Sequence, residues 1–379
     1  MLAFFLALSL ITLPANAGDA SGGKRLIQLD NYSKAWMTED EVLSLMLERH
    51  RPGHVGGFID ITDYPEEYDS DAFSRFLYFD RTPGHQEEVN KLLPELSAAN
   101  IISSIETLSV IQNRYYKGTL GLQAARWIYD RFVEYASNRT DVTVELVQHS
   151  FAQPSVVARV TGNGPHSGET LIVGGHEDSL SGWGGNANMR APGADDNASG
   201  VATVLEVFRV IAQSGFKPDR TVEFIAFAGE EAGLLGSQAI AQAYKKDNRQ
   251  IAGMFNLDMT MFPGTEKNIA FVTDNADPYL TSFVKMLIDE YVKIPWVNTR
   301  CGYGCSDHAS WTRAGYPSVY PFEAPDKEYN PHIHTTDDTL KWLDTDFGMH
   351  YAKLALAYAI EVGLTNELYY PIRFLRPTP

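Results

Sequence analysis

Five stretches of the chain repeat apolar residues at helical spacing: 92–111, 120–135, 201–211, 278–292 and 347–362. In the second, Trp127, Ile128, Phe132 and Val133 share one side; in the third, Val201, Val204, Leu205, Phe208 and Ile211 do. Such stripes, three to four residues apart, predict amphipathic helices. Between them lie short apolar runs at 155–160, 170–173, 222–227, 251–257, 269–272 and 318–321. Runs of that length, nearly continuous in Val222, Phe224, Ile225, Ala226 and Phe227, are the pattern of strands buried on both faces. Residues 142–146 instead alternate, with Val142, Val144 and Leu146 on one side, and read as a half-buried edge strand. Strands alternating with helices predict an α/β fold, a mostly parallel mixed sheet sandwiched by helices.

The first 84 residues differ in character. Leu2 to Leu13 is apolar and Ala15-Asn16-Ala17 has the small-x-small form of a signal-peptidase site, so 1–17 reads as a signal peptide cleaved before Gly18. No Lys or Arg precedes Lys24, so the usual basic start is missing. Residues 18–84 mix charge runs such as Asp63-Tyr64-Pro65-Glu66-Glu67-Tyr68-Asp69 with Gly/His turns, carry no ligand-like spacing, and read as a pro-region or leader. The signal places the mature chain outside the cytoplasm, secreted or periplasmic, with no membrane association. The 379 residues, 44% hydrophobic and 21% charged, fit one large domain plus an appendage. A net charge of -17 argues against nucleic acid as a partner.

Polar residues gather where strands end. His176 and Asp178 follow the run at 170–173, Asp195 precedes the third helical stretch, Glu230 and Glu231 follow 222–227, and Asp258 follows 251–257. His334 lies in a late loop. In an open α/β sheet, ligands bind at the carboxyl ends of strands. Adjacent residues of an extended segment point to opposite sides, so Glu230 and Glu231 can divide two tasks, general base and ligand. Two histidines and three carboxylates suit a pair of divalent metals bridged by one carboxylate, and imidazole with carboxylate favours zinc.

His176-Glu177-Asp178, Gly193-Ala194-Asp195-Asp196, Glu230-Glu231-Ala232-Gly233-Leu234-Leu235-Gly236-Ser237, Asn256-Leu257-Asp258-Met259 and His334-Thr335-Thr336 resemble, in order, the ligand motifs of the co-catalytic dizinc M28 aminopeptidases. The likeness is strongest to secreted bacterial leucyl aminopeptidases. It runs from about residue 90 to 365 and includes Asn113-Arg114-Tyr115-Tyr116 and the segment Cys301 to His308.

The resemblance implies a zinc-peptidase, phosphorylase/hydrolase-like domain over 85–379. It implies two Zn2+ per chain, with Asp195 bridging, His176 and Asp258 completing one site, and Glu231 and His334 the other. Asp178 would orient His176, Glu230 would act as general base, and Tyr303 would donate to the developing oxyanion. The peptide bond before Asp196 would be cis. The same resemblance, with the secreted context, implies a Cys301–Cys305 disulfide shaping the Tyr303 loop. Met259, Val272, Phe322 and Tyr329 would line an apolar pocket for the first side chain. Asp326 stands where an aromatic is often found, which predicts better acceptance of N-terminal Lys or Arg. The Asn197-Ala198-Ser199 sequon would fall within the site and is discounted. The implied activity is release of N-terminal residues, Leu or other large apolar and also basic ones, from peptides and proteins by a monomeric enzyme. A single-zinc glutaminyl cyclase of the same fold and a metal-free binding relative are the alternatives. The complete five-ligand set argues against both. A glycosidase built on Glu230 and Glu231 is disfavoured, because its carboxyls must flank a sugar bond about 5–9.5 Å apart.

Overall fold

The computed structural model describes residues 10–12, 23–30, 32–49, 57–65, 82–137, 139–181, 188–325 and 327–364. The chain begins with β1 (Leu10–Thr12), β2 (Arg25–Gln28), β3 (Lys34–Met37), α1 (Glu39–Arg49) and β4 (Ile59–Asp60). Next come α2 (Gln86–Leu92), α3 (Ala98–Val110), α4 (Thr119–Tyr135), β5 (Val142–Gln148), β6 (Ser155–Val160), β7 (Glu169–His176) and α5 (Gly200–Gln213). They are followed by β8 (Thr221–Phe227), α6 (Leu235–Lys246), β9 (Gln250–Asn256), β10 (Ile269–Val272) and α7 (Pro278–Leu287). Last are β11 (Trp296–Thr299), α8 (His308–Ala314), β12 (Ser318–Phe322) and α9 (Thr345–Leu364).

Nine strands form one mixed sheet in the order β1-β5-β6-β8-β7-β9-β12-β10-β11. Its centre, β8-β7-β9-β12, is parallel, while β6 runs antiparallel to both neighbours and β10 antiparallel to β12. Both faces are dry. Along β8, Val222, Phe224 and Ala226 join the larger core, while Ile225 and Phe227 join the smaller one. The period of two thus sends successive side chains into different helix layers. The larger layer holds α3, α4, α5, α7 and α9, with Phe208 of α5 edge-on to Phe132 and Phe224. Truncating such an aromatic to alanine costs about 3–5 kcal/mol. The smaller layer is α6 and α8, closed by Trp311. No described helix is long and apolar enough to cross a membrane.

Among the elements of this domain that escaped sequence reading, α2 lies before the helical stretch read from residue 92. β11 is half-buried at the sheet edge with weak alternation, and α8 is only seven residues long, too short for a periodic stripe. Leu10–Thr12, inside the apolar run read as a signal, pairs in parallel with residues 146–148 of β5.

The leader also contains more structure than its composition suggested. β3-β2-β4 form a small antiparallel sheet, and Ile27, Val42, Leu45, Met46 and Phe58 make a small core that Leu180 of the large domain completes. Four-residue strands interrupted by charge carry too little pattern to announce themselves. The sheet docks on the large domain through Leu26, Ile59 and Ile61, which pack with Leu234 and Ala309. Asp60 N–H donates to Gly233 O (3.1 Å), Arg25 Nη2 to Ala232 O (3.0 Å) and Gln238 Nε2 to Asp60 O (3.0 Å). The leader therefore lies on the loop that carries Glu230 and Glu231.

Candidate metal centre

The parallel strands β7, β8 and β9 end side by side, and each delivers acids or imidazole as it leaves the sheet. His176 closes β7, Glu230 and Glu231 follow β8, and Asp258 follows β9. Asp195 and Asp196 lie in an irregular helical segment, 194–199, that enters α5. A left-handed turn at Gly193 (φ +50°) starts that segment, and a Cβ there would sit 2.3 Å from Asp196 O. Only glycine fits.

Two buried donor clusters share one residue: His176, Asp196 and Asp258 in the first, Asp196, Glu231 and His334 in the second. His176 Nε2 is 3.1 Å from Asp196 Oδ1 and 3.3 Å from Asp258 Oδ1. His334 Nε2 is 2.9 Å from Asp196 Oδ2 and 3.2 Å from Glu231 Oε2. The carboxylate between the histidines is thus Asp196, one position after Asp195, which was expected there. The cis peptide bond is likewise Asp196–Asn197, one residue later than expected. The reason is local geometry. Asp196 leaves the helical path (φ −104°, ψ 91°) and faces the histidines. Asp195 faces the other way, accepting from Met261 N–H (3.2 Å) and Asn330 Nδ2 (2.9 Å).

Backbone clamps hold the acidic loops. The Asp178 carboxylate, 3.5 Å from His176 Nδ1, accepts the N–H groups of Glu230 (3.0 Å) and Glu231 (3.2 Å). Asp338 does the same for Asp195 (3.0 Å) and Asp196 (3.1 Å). Ser306 Oγ donates to Asp258 Oδ2 at 2.6 Å. Sequence reading found Asp178 but not Asp338 or Ser306. Ser306 stands within a segment it quoted and Asp338 two residues past another, yet a buried side chain that braces a backbone or a ligand has no sequence period of its own.

Electrostatics show what the cluster lacks. Burial pushes the Glu231 carboxyl up to about 7, with Asp196 adding to the rise, and raises Glu230 well above the usual carboxylate range despite opposition from His176. Burial also opposes ionisation of Asp196, but the His176 and His334 hydrogen bonds hold it below that range. Burial lowers the proton affinity of both histidines, and the acids around them reverse this and raise it. One imidazole N–H cannot serve two carboxylate oxygens well. Cations between the nitrogen and oxygen atoms would satisfy every group, so the donor set fits metal ions, and its N/O composition fits zinc.

The clusters open on a cavity lined also by Glu230, Leu234, Met259, Tyr303, Gly304, Cys305, Tyr320 and Ile333. Tyr303 is carried by the Cys301–Cys305 disulfide loop, and burial raises its phenol pKa. Asp274 Oδ2 accepts from the N–H groups of Cys301 (2.7 Å) and Gly302 (3.0 Å), a second restraint on that loop. Met259, Val272, Phe322 and Tyr329 fall in one apolar cluster with Ala270, Tyr320 and Ile333, but of the four only Met259 lines the cavity. Asp326 lies outside the described residues. Met259 and His334 both have positive φ, 59° and 54°, a costly backbone region for residues with a Cβ. Gly57 and Phe58 of the leader complete the cavity wall, a contribution nothing in their sequence signalled.

Residues 155–359 match the family model described as Peptidase family M28. The chain is 36% identical over 362 residues to Leucine aminopeptidase 1 of Chaetomium globosum, spanning 91% of this chain and 87% of that one. The LapB structure from Legionella pneumophila superposes with a TM-score of 0.78 at 29% identity, covering 90% of this chain and all of the other. The LapA aminopeptidase of the same organism gives 0.78 at 28% identity, covering 91% and 99%.

Proposed function

The chain belongs to peptidase family M28 and is a metallo-aminopeptidase, and from that premise we propose that two zinc ions share Asp196, one completed by His176 and Asp258, the other by Glu231 and His334. The supporting observation is the convergence of both histidine Nε2 atoms on the two oxygens of that single carboxylate. When bound, zinc would supply Lewis-acid polarisation of the scissile carbonyl and a lowered pKa for the attacking water.

The chain's own residues supply the rest. Glu230, whose proton affinity burial has raised, takes a proton from the attacking water on a carboxylate oxygen and returns it to the leaving amine. The Asp178 clamp on its N–H fixes where that oxygen sits. Tyr303, held neutral, donates its O–H to the carbonyl oxygen as charge develops there. Met259 and the apolar cluster behind it receive a large apolar first side chain such as leucine. A carboxylate at Asp326 in the same loop would extend acceptance to Lys and Arg, and Asp326→Phe should then lower the Arg-to-Leu rate ratio.

The reading extends to the first 84 residues. Residues 1–17 would direct secretion, and 18–84 would form a pro-region covering the site. Its support is the wall of the cavity, which Gly57 and Phe58 complete over the donor clusters. A mature N-terminus at Gly18 in secreted, active enzyme would sink this part.

The test of the whole compares leucyl anilide with its N-acetylated form, on protein of measured metal content with a chelated control. Chelator-sensitive cleavage of the free-amine substrate alone, with close to two zinc per chain, is the expected result. Equal cleavage of both substrates would overturn the exopeptidase reading, and full activity at one zinc per chain would overturn the paired site.

A further inference from the structure

Arg114 is among the largest fully buried side chains of the molecule, with no exposed surface. A buried guanidinium normally sits against a carboxylate. Every hydrogen bond of this guanidinium goes to a backbone carbonyl. Nε donates to Glu177 O (2.9 Å), Nη1 to Pro192 O (2.6 Å) and Leu108 O (3.4 Å), and Nη2 to Gly193 O (2.9 Å). Its own N–H donates to Ser179 Oγ (3.0 Å), and that hydroxyl donates to Ala191 O (2.9 Å). Asn113 Nδ2 adds a bond to Met189 O (2.8 Å).

These carbonyls belong to two particular segments. Glu177 and Ser179 follow His176 at the end of β7, and Pro192 and Gly193 form the turn that launches Asp195 and Asp196. No described hydrogen bond joins the backbone of 177–179 directly to that of 192–193, so the fork of Arg114 bridges them. The fit is tight, since a Cβ on Gly193 would stand 2.7 Å from Arg114 Nη2. Burial lowers the guanidinium pKa to about 10, and Asp338, Asp178, Asp196 and Glu231 oppose the fall. It therefore stays charged at neutral pH.

We propose that Arg114 is a positioning residue for the metal centre: its planar fork sets the separation of the His176 and Asp196 segments and so the affinity for zinc. This deepens the reading of Asp196 as the shared ligand and rests on it. A lysine at 114 keeps the charge but concentrates its donors at one point, and cannot reach Glu177 O, Pro192 O and Gly193 O together. The fork, rather than the charge, is what the substitution removes.

The test is a zinc titration of the metal-free full chain against a chromophoric chelator, for the parent, Arg114→Lys and Arg220→Lys. Arg220 is another fully buried arginine, at the opposite end of the strands, paired with Glu169 (2.7 Å). Arg114→Lys is expected to weaken zinc about 10–100-fold. It should lower kcat more than KM at saturating zinc, with a metal-free Tm no lower than that of Arg220→Lys. Arg220→Lys should bind zinc like the parent. Should Arg114→Lys not fold, Arg114→Met, near in length and without the fork, takes its place with the same expected loss. Parent-like zinc affinity in a folded Arg114 variant would overturn the proposal, as would an equal affinity loss in Arg220→Lys. A parent chain that binds no zinc tightly overturns the metal reading, and this inference with it.

Discussion

The two ends of the central strands are built on opposite principles. At the amino end, Arg220 meets Glu169, donates to Val362 O (3.0 Å), and sits beneath the carboxyl-terminal turn of α9. Charge there is paired with charge. At the carboxyl end, His176, Asp196, Glu230, Glu231, Asp258 and His334 crowd together with acids in excess, and the buried Arg114 spends its donors on carbonyls. Local rules of charge pairing are kept where nothing happens and broken where a ligand is to bind. The shape of the sheet follows from the first end and its chemistry from the second.

Substitutions can probe this contrast. Glu230→Gln should cut kcat by about 10²–10⁴-fold while zinc content after dialysis stays at the parent level; loss of metal instead would make Glu230 a ligand. Asp196→Asn should strip zinc from the dialysed protein, whereas Asp195→Asn should retain it, because Asp195 faces Met261 and Asn330. The reverse outcome would restore Asp195 as the bridge. Arg220→Met, at the paired end, should cost about 1–3 kcal/mol in denaturant unfolding by removing its bonds to Glu169 and Val362 O, although Glu169 keeps His166 (3.0 Å), with no change in zinc affinity.

The smallest effect concerns His149, which is near the carboxyl end but outside the acid cluster. It is bonded to Ser155 Oγ (2.8 Å) and stacked on Phe151. Burial lowers its pKa to about 4 from 6.5. Between those values the unfolded chain binds a proton that the folded chain refuses, so stability is complete above pH 6.5 and falls as pH drops toward 4. His149→Gln should remove about 2 kcal/mol of the stability lost between pH 7 and 5, seen as a shallower Tm profile.

The contrast also explains what could be read from the sequence. Strands such as 222–227 and helices such as 201–211 were legible because both faces of the sheet are dry and the apolar period is unbroken. Ligand candidates at strand ends were legible because the topology of an α/β sheet sends them to one edge. The choice between Asp195 and Asp196 was not. It turns on which of two adjacent carboxylates faces the histidines, set by two non-helical residues, Asp196 and Asn197, and by partners 66 and 135 positions away. Asp338 and Arg114 act on backbone atoms, which every residue has, and so leave no compositional trace. The leader's small sheet depends on contacts with Leu234 and Ala309 that its own pattern does not contain.

One contact far from the chemistry bears on how the molecule is made. The buried Glu361 carboxylate in α9 accepts the N–H groups of Gly84 (2.9 Å) and His85 (3.1 Å) and the hydroxyl of Tyr291. Val362 and Gly363 receive Arg220, Asp219 and their backbone from the start of β8. The opening residues of the large domain and its central strand are thus tied to a helix near residue 360. A ribosome delivers that helix some 275 residues after the segment it fastens. The nascent domain must wait, open along its largest apolar face, until its final turns emerge, and this makes late synthesis the stage at which a holding chaperone matters most.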